Sequence, residues 1–121
     1  MGYRSDVAVV IYGDDRNPEK YALLKTLMNT TFKVAYDEWS AYVTWHDTKC
    51  VLEFFIEDTK WYESYPDVIA FTTMLENLRE IEGYNYEFVR IGEDDDDIER
   101  ENHGDHGEYI TRVNRSIEVE L

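Results

Sequence analysis

Two histidines and a carboxylate, His103, Asp105 and His106, lie close together in the sequence and could ligate a metal ion. Zinc is held by imidazole, thiolate and carboxylate groups, usually in a tetrahedral set. A complete set is not evident here, because the single cysteine, Cys50, is distant along the chain. A metal-ion or small-ligand module built on these three residues is therefore an alternative function, and no cofactor is predicted.

A run of acids precedes these histidines and raises the question of a calcium site. The calcium loop of EF-hand proteins needs a glycine at its sixth position, where the chain turns sharply. Counted from Asp94, the sixth residue is Glu99, and counted from Asp95 it is Arg100. The spacing therefore does not predict a calcium loop.

Residue patterns for covalent catalysis and phosphate binding are missing from the sequence. It has no Gly-x-Ser-x-Gly nucleophile elbow and no glycine-rich phosphate loop, since its six glycines are scattered. Cys50 has only His46 nearby in sequence as a possible base, and its predicted role is that of a small apolar filler. We predict that the protein is not an enzyme.

Charge is the strongest compositional feature of the chain. Twelve Lys and Arg residues stand against 27 Asp and Glu residues, which gives a net charge of −15. Such a field repels nucleic acid and anionic membranes and attracts basic surfaces over long distances. We therefore predict a basic protein as partner, with no direct nucleic-acid binding and no membrane contact. Solubility is the alternative reason for this acidity.

Cysteine usage and the N-terminal residues bear on the compartment. With one cysteine an internal disulfide cannot form, which favours a reducing environment. The N-terminal residues lack a basic stretch followed by a long apolar run, so they do not predict a signal peptide. The expected location is the cytoplasm.

Hydrophobic periodicity predicts the elements that position these residues. Alternation predicts strands, and apolar spacing of three and four residues predicts helices. Asn17 followed by Pro18 is a helix start, and Ser64 is a second candidate N-cap. The predicted strands are 3–12, 41–46, 51–57, 84–91 and 109–121, and the predicted helices are 18–32 and 64–83.

This order predicts an α+β fold of one domain, 1–121. The first six elements match the ferredoxin-like βαββαβ sandwich, with two helices on one face of an antiparallel sheet. An acidic connection, 93–108, leads to an extra C-terminal strand, which is expected to pair with the strand ending at Ile91. Within that connection, the residues from Ile98 onward could form one or two helical turns, with Asp94 to Asp97 at the helix N-terminus. An α+β layer with another strand order is the alternative.

The two faces of the predicted sheet differ in character. The residues expected to face the helices include Val7, Leu52, Phe54 and Ile117. The opposite face is expected to be open and to mix acids with aromatics: Asp6, Tyr12, Glu53, Phe55, Glu57, Glu118 and Glu120. An exposed Phe55 would favour a partner or a homodimer on this face. A self-associating regulatory domain is therefore a further alternative function.

The opening residues MGYRSDV, followed by an apolar strand, resemble the start of small uncharacterised proteins encoded by bacteriophages. The resemblance implies a context, because small acidic phage proteins often act as host-takeover or anti-defence factors, including anti-CRISPR proteins and DNA mimics. It implies action inside the host cell, in the cytoplasm. No site residue is carried over from it.

The leading functional prediction is an inhibitor that binds a basic, nucleic-acid-binding host protein through its acidic surface. Contacts between carboxylates and basic residues would resemble phosphate contacts. The predicted binding residues are Asp94, Asp95, Asp96, Asp97, Glu99 and Glu101, together with Glu53, Phe55 and Glu57 on the sheet face. The uncharged part of the interface is expected to come from aromatics such as Tyr12, Trp45, Phe55 and Trp61.

Overall fold

The structure is a computed structural model, and it describes residues 2–94, 96–104, 111–113 and 117–119. Seven strands and three α-helices are found in these segments. The strands are β1 (Ser5–Gly13), β2 (Val43–His46), β3 (Val51–Thr59), β4 (Tyr84–Gly92), β5 (Ile98–His103), β6 (Thr111–Val113) and β7 (Ile117–Val119). The helices are α1 (Pro18–Asn29), α2 (Lys33–Trp39) and α3 (Pro66–Arg79).

The main sheet has five strands in the order β2-β3-β1-β4-β5, and every neighbouring pair is antiparallel. β6 and β7 pair with each other in a separate two-stranded sheet, called the small sheet below. The predicted α+β class is confirmed. β1 occupies the centre of the main sheet, which explains why its residues are apolar on both faces.

The start of α1 follows directly from its sequence. The Asn17 side chain accepts hydrogen bonds from the backbone N–H groups of Glu19 and Lys20, at 2.8 and 3.2 Å, and Pro18 occupies the first helical position. The predicted cap at Ser64 is wrong, because α3 begins one residue later and its N-cap, Tyr65, makes no side-chain capping bond.

The sequence predicts two helices, and the structure has a third, α2. This helix has only seven residues and no side-chain cap at its start, so its local signal is weak. Its buried residues, Ala35 and Trp39, dock it onto the core instead. In the described part of the chain, no helix has the length and apolar character needed to cross a membrane.

The helices cover one face of the main sheet, and an aromatic core lies between the layers. Phe54 is fully buried there, with its ring centre 4.8 Å from that of Phe71 and 5.6 Å from that of Trp39. The alternating residues Val7, Val9 and Ile11 of β1 line the same core, as do Leu52 and Ile56 of β3. The predicted inward face of these two strands is confirmed.

The opposite face is not open as predicted, because the small sheet packs on it. Ile117, which was expected to face the helices, instead lies against Ala8 and Val89 on this second face. Val119 packs there too, next to Val10 and Tyr12. Apolar positions on the outer face of the central strands explain the cover, since they would otherwise be exposed to water.

The edge strand beside β4 is β5, and the prediction that residues 109–121 take this place is wrong. The prediction of helical turns after Asp97 is also wrong, because Ile98–His103 is extended. Opposite charges fix the pairing: Arg90 of β4 lies across from Glu99 of β5, and Arg90 Nε donates to Glu99 Oε1 at 3.0 Å.

Candidate partner-binding surface at the acidic end of the sheet

One end of the main sheet gathers carboxylates from three strands. The register pairs Ser5, at the start of β1, with Thr59 at the end of β3 and with Gly92 at the end of β4. Antiparallel pairing therefore places the acidic end of β3 and the acidic turn that follows β4 beside the start of β1. The acidic end, as we call it, comprises Asp6, Glu57, Asp58, Glu93, Asp94, Asp96, Asp97 and Glu99.

The acidic end carries a clear excess of negative charge. Among described residues its eight carboxylates stand against three basic neighbours in the same strand ends, Arg4, Lys60 and Arg90, which leaves 3 − 8 = −5. Most of these carboxylates are exposed to solvent. A cationic surface that approaches this end meets a local field stronger than an even spread of charge would give.

Arg90 holds two of the carboxylates in fixed positions. Its guanidinium binds Asp97 in the bidentate manner, with Nη2 2.8 Å from Oδ1 and Nη1 3.2 Å from Oδ2. Glu99 accepts from Arg90 Nε at 3.0 Å, and Ser5 Oγ accepts from Nη1 at 3.1 Å. Asp97 and Glu99 therefore serve first as internal partners that join the β4–β5 turn to the sheet.

The Asp97 carboxylate also accepts a hydrogen bond from the Tyr3 hydroxyl at 2.6 Å. Arg90 and then Tyr3 hold the pKa of this carboxyl below its usual range, because each donates to the ionised form. Backbone bonds close the same turn, from Gly92 N–H to Asp97 O at 2.8 Å and from Asp97 N–H to Asp94 O at 3.0 Å. These bonds tie Gly92, Asp94 and Asp97 to one another.

Two further acids of this end, Glu93 and Asp6, accept hydrogen bonds from backbone N–H groups. Glu93 Oε1 accepts from the Arg4 backbone N–H at 3.0 Å, and Asp6 Oδ1 accepts from the Asp58 backbone N–H at 2.9 Å. Both bonds use neutral donors, so they leave the negative charge uncompensated. Asp94 and Asp96 are exposed at the turn.

Glu57 is exposed near the end of β3. With Asp94 and Asp96, it is one of the predicted binding residues at this end of the sheet that are exposed to solvent. Asp95, which was also predicted, lies outside the described residues.

Three other predicted binding residues lie elsewhere. Glu101 accepts hydrogen bonds from Arg79 of α3 and from the Tyr86 hydroxyl, on the helix-covered side of the sheet. Glu53 lies 2.6 Å from His46 Nε2 across the β2–β3 pair. Phe55 is half-buried against the cluster formed with the small sheet. The structure therefore does not bring these three residues to the acidic end.

The predicted interface aromatics mostly belong to the interior. Tyr12 is 9% exposed and Trp61 is 7% exposed. Trp45 is half-buried and donates its indole N–H to the Tyr36 hydroxyl at 3.0 Å. These rings contribute to the packing of the interior rather than to an exposed surface.

The alternative metal site is represented by one residue. His103 stacks on the ring of Tyr86, with ring centres 5.7 Å apart. Asp105 and His106 lie outside the described residues. Within the described segments, no group of three or more His, Cys, Asp or Glu side chains is arranged to hold a metal ion.

Sequence reasoning missed a buried carboxylate, Glu87, in the centre of β4. It is fully buried, and Thr111 of the small sheet donates to its Oε1 from both the backbone N–H and the hydroxyl, at 3.1 and 2.7 Å. Arg100 Nη1 lies 3.7 Å from the same oxygen, while Arg100 Nη2 donates to Thr111 O at 2.7 Å. Burial, with help from the Glu87 charge, raises the pKa of Tyr12 to about 12. The only sequence signal was a lone acid between the apolar residues of YNYEFV.

Comparison of the chain with protein-family models, with curated proteins and with solved structures finds no match in any of the three.

Proposed function

We propose that the protein is a binding inhibitor that docks the acidic end of its sheet on a basic, nucleic-acid-binding protein. The observation that carries the proposal is the excess of five negative charges at that end, with Glu57, Asp94 and Asp96 exposed. A nucleic-acid-binding groove is lined with Lys and Arg side chains that normally neutralise phosphates. Carboxylates on a folded scaffold can occupy the same positions and exclude the nucleic acid.

The bonding of the β4–β5 turn supports this use of the surface. A mobile acidic tail would lose conformational entropy when a partner orders it. In this protein Arg90 and Tyr3 hold Asp97 before any partner arrives. Asp94 and Asp96 precede that anchor in the same turn and are therefore presented at low entropic cost.

The biological context of the proposal is a phage protein that acts against a host defence system inside the cell. Support comes from the MGYRSDV opening and from the net charge of −15. On this proposal the protein acts by occupancy and carries out no chemical reaction.

We also propose that the scaffold is a variant of the ferredoxin-like sandwich. Support comes from the antiparallel order β2-β3-β1-β4 and from the placement of α1 and α3 in the two long connections. On this proposal α2 is an insertion after α1, and β5 is a strand added beside β4.

A matched pair of triple variants tests the binding surface. The first, Glu57→Gln with Asp94→Asn and Asp96→Asn, removes three exposed charges from the acidic end. The control removes three exposed charges from the helix layer: Glu38→Gln, Glu76→Gln and Glu80→Gln. A partner is captured from host lysate with the unmodified protein, identified, purified, and then titrated with all three proteins at 50 and 200 mM salt, concentrations at which phosphate-type contacts differ strongly in strength.

We expect the first variant to bind at least about tenfold more weakly than the control variant, because it lacks three contacts and not only three units of net charge. Binding of the unmodified protein should fall steeply with salt and should compete with DNA or RNA for the partner. Equal losses in both variants, or binding that ignores salt, would contradict the proposal.

A further inference from the structure

We propose that a groove next to the acidic end receives an arginine side chain of the basic partner and serves as the anchor of the complex. This inference rests on the proposed function and names one contact of the same surface. The groove has a volume of about 460 Å³ and is lined by Tyr3, Trp61, Tyr62, Glu63, Ser64, Arg90, Asp97 and Glu99.

The charge of the lining selects a cation. The lining has three carboxylates and one guanidinium, so its net charge is 1 − 3 = −2. The guanidinium of Arg90 does not offer an anion site, because its donors already bind Asp97, Glu99 and Ser5. Glu63 is an exposed residue of the same lining, and it adds a carboxylate that is not one of the Arg90 partners named above.

Aromatic rings complete the walls. Trp61 is 7% exposed and joins the groove to the core, while Tyr3 and Tyr62 are half-buried. The Tyr62 hydroxyl accepts a hydrogen bond from the Tyr3 backbone N–H at 2.6 Å, which fixes that ring beside the first strand. Among the described residues, no acceptor is found for the hydroxyl proton of Tyr62.

Rings and carboxylates together favour arginine over lysine. A guanidinium is planar, is weakly hydrated and stacks on aromatic faces while it donates in a fork to carboxylates. An ammonium group is a compact, strongly hydrated point charge that gains less from a ring wall.

The position of the groove fits an anchor for a basic partner. Asp97 and Glu99 belong both to its lining and to the acidic end. A basic surface drawn to Asp94 and Asp96 is therefore already close to the groove mouth. Long-range attraction then brings the partner in, and a single buried side chain supplies specificity.

Two short peptides and one matched pair of variants test the inference. Hexa-arginine and hexa-lysine are titrated into the full chain by calorimetry at 150 mM salt, near the physiological ionic strength at which weak surface attraction is screened. Glu63→Gln removes a lining charge without touching the Arg90 cluster. Glu80→Gln, at the exposed residue that directly follows α3, removes the same charge at a position that does not line the groove.

We expect hexa-arginine to bind at least about threefold more tightly than hexa-lysine, because of the ring wall. Glu63→Gln should weaken hexa-arginine binding about threefold, and Glu80→Gln should leave it nearly unchanged. Tyr62→Leu should reduce the preference for arginine, while Tyr62→Phe should keep it. Thermal melts of each variant check that the fold is retained.

Equal binding of the two peptides, with equal effects of Glu63→Gln and Glu80→Gln, would overturn the groove as an anchor. The proposed function would survive that result if the triple variant of the acidic end still lost binding to the captured partner. If the triple variant lost nothing, the proposed function itself would fail, whatever the peptides showed.

Discussion

The two faces of the main sheet are covered in different ways. The face under the helices is filled by aromatic and aliphatic side chains, with Phe54 at the centre of a ring cluster. Among the described residues, the face under the small sheet has a smaller apolar cluster around Ala8 and Val89, and this face encloses the Glu87 carboxylate. The helix layer is held by apolar packing, and the small sheet combines apolar packing with polar bonds to a buried carboxylate.

The two layers therefore contribute differently to the stability of the fold and to its geometry. Apolar packing gains free energy in proportion to buried area, and no single group decides its geometry. A buried carboxylate instead costs free energy unless its particular partners are present, so it selects one arrangement of the covering strands. We infer that the helix layer supplies most of the stability and that Glu87 fixes where the small sheet docks.

The largest expected effect is on the helix-covered face. Phe54→Ala removes a fully buried ring that contacts Trp39 and Phe71, and it should lower the free energy of unfolding by about 4 kcal/mol. Urea denaturation followed by tryptophan fluorescence measures the change. Phe55→Ala is the neighbouring control on the other face, where the half-buried ring should cost less than half as much. Equal losses would show that the two layers contribute alike.

A smaller loss of stability is expected on the face under the small sheet. Glu87→Ala should lower the free energy of unfolding by about 3 kcal/mol, because Thr111 loses its buried acceptor and Arg100 loses its buried ion-pair partner. Chemical denaturation measures it, and amide hydrogen exchange at Thr111 and Ile117 should speed up selectively. Asp37→Ala is the control: it breaks an exposed ion pair with Lys33 and should cost at most about 0.5 kcal/mol.

A double variant separates packing from pairing at this position. Glu87→Leu with Arg100→Leu removes both charges and should recover most of the loss seen in Glu87→Ala. If Glu87 fixes the docking of the small sheet, amide hydrogen exchange at Thr111 should remain fast in the double variant. This should hold even though the double variant has recovered most of its free energy of unfolding. Slow exchange would mean that apolar cover alone positions the small sheet.

The smallest effect is expected at the acidic end, and it depends on pH. The pKa of Asp97 is lowered in the folded state by Arg90 and Tyr3, so the folded protein binds fewer protons than the unfolded chain. The stabilisation is therefore present above about pH 4, the ordinary carboxyl pKa, and is lost as the pH falls through the lowered folded-state pKa.

Asp97→Asn should remove this contribution, so its stability should vary less with pH below about pH 4 than that of the unmodified protein. Denaturation midpoints between pH 2 and 7, a range that spans the carboxyl titration, measure the difference. Asp94→Asn, in the same turn but exposed, is the control and should follow the unmodified curve. A parallel fall in Asp97→Asn would show that the bond to Arg90 does not depend on the charge of this carboxyl.

Local signals were strong enough to predict much of the fold. Asn17 with Pro18 marks the start of α1, and the alternation of Leu52, Phe54 and Ile56 marks the inward face of β3. The residues IERENH of β5 carry no apolar alternation, because an edge strand can be held by backbone bonds and charge pairs. Its partner Arg90 lies on another strand, and that pairing is not a local property of the sequence.

The candidate site was predicted in composition but not in arrangement. The acidic run itself is obvious from Asp94 to Asp97, and its charge suggests a basic partner. The contributions of Asp6 and Asp58 depend on the register of β1 with β3, which brings together residues more than fifty positions apart. Glu101 was expected at the same surface, and its bonds to Arg79 and Tyr86 draw it away.

The central place of β1 has a consequence for biosynthesis. This strand emerges from the ribosome before either of its neighbours, β3 and β4, and its second neighbour is complete only at Gly92. The apolar run VAVVIY therefore lacks its pairing partners while most of the chain is translated. Charged residues stand on either side of this run, Arg4 and Asp6 before it and Asp14 and Asp15 after it, and flanking charges of this kind oppose the association of exposed apolar strands.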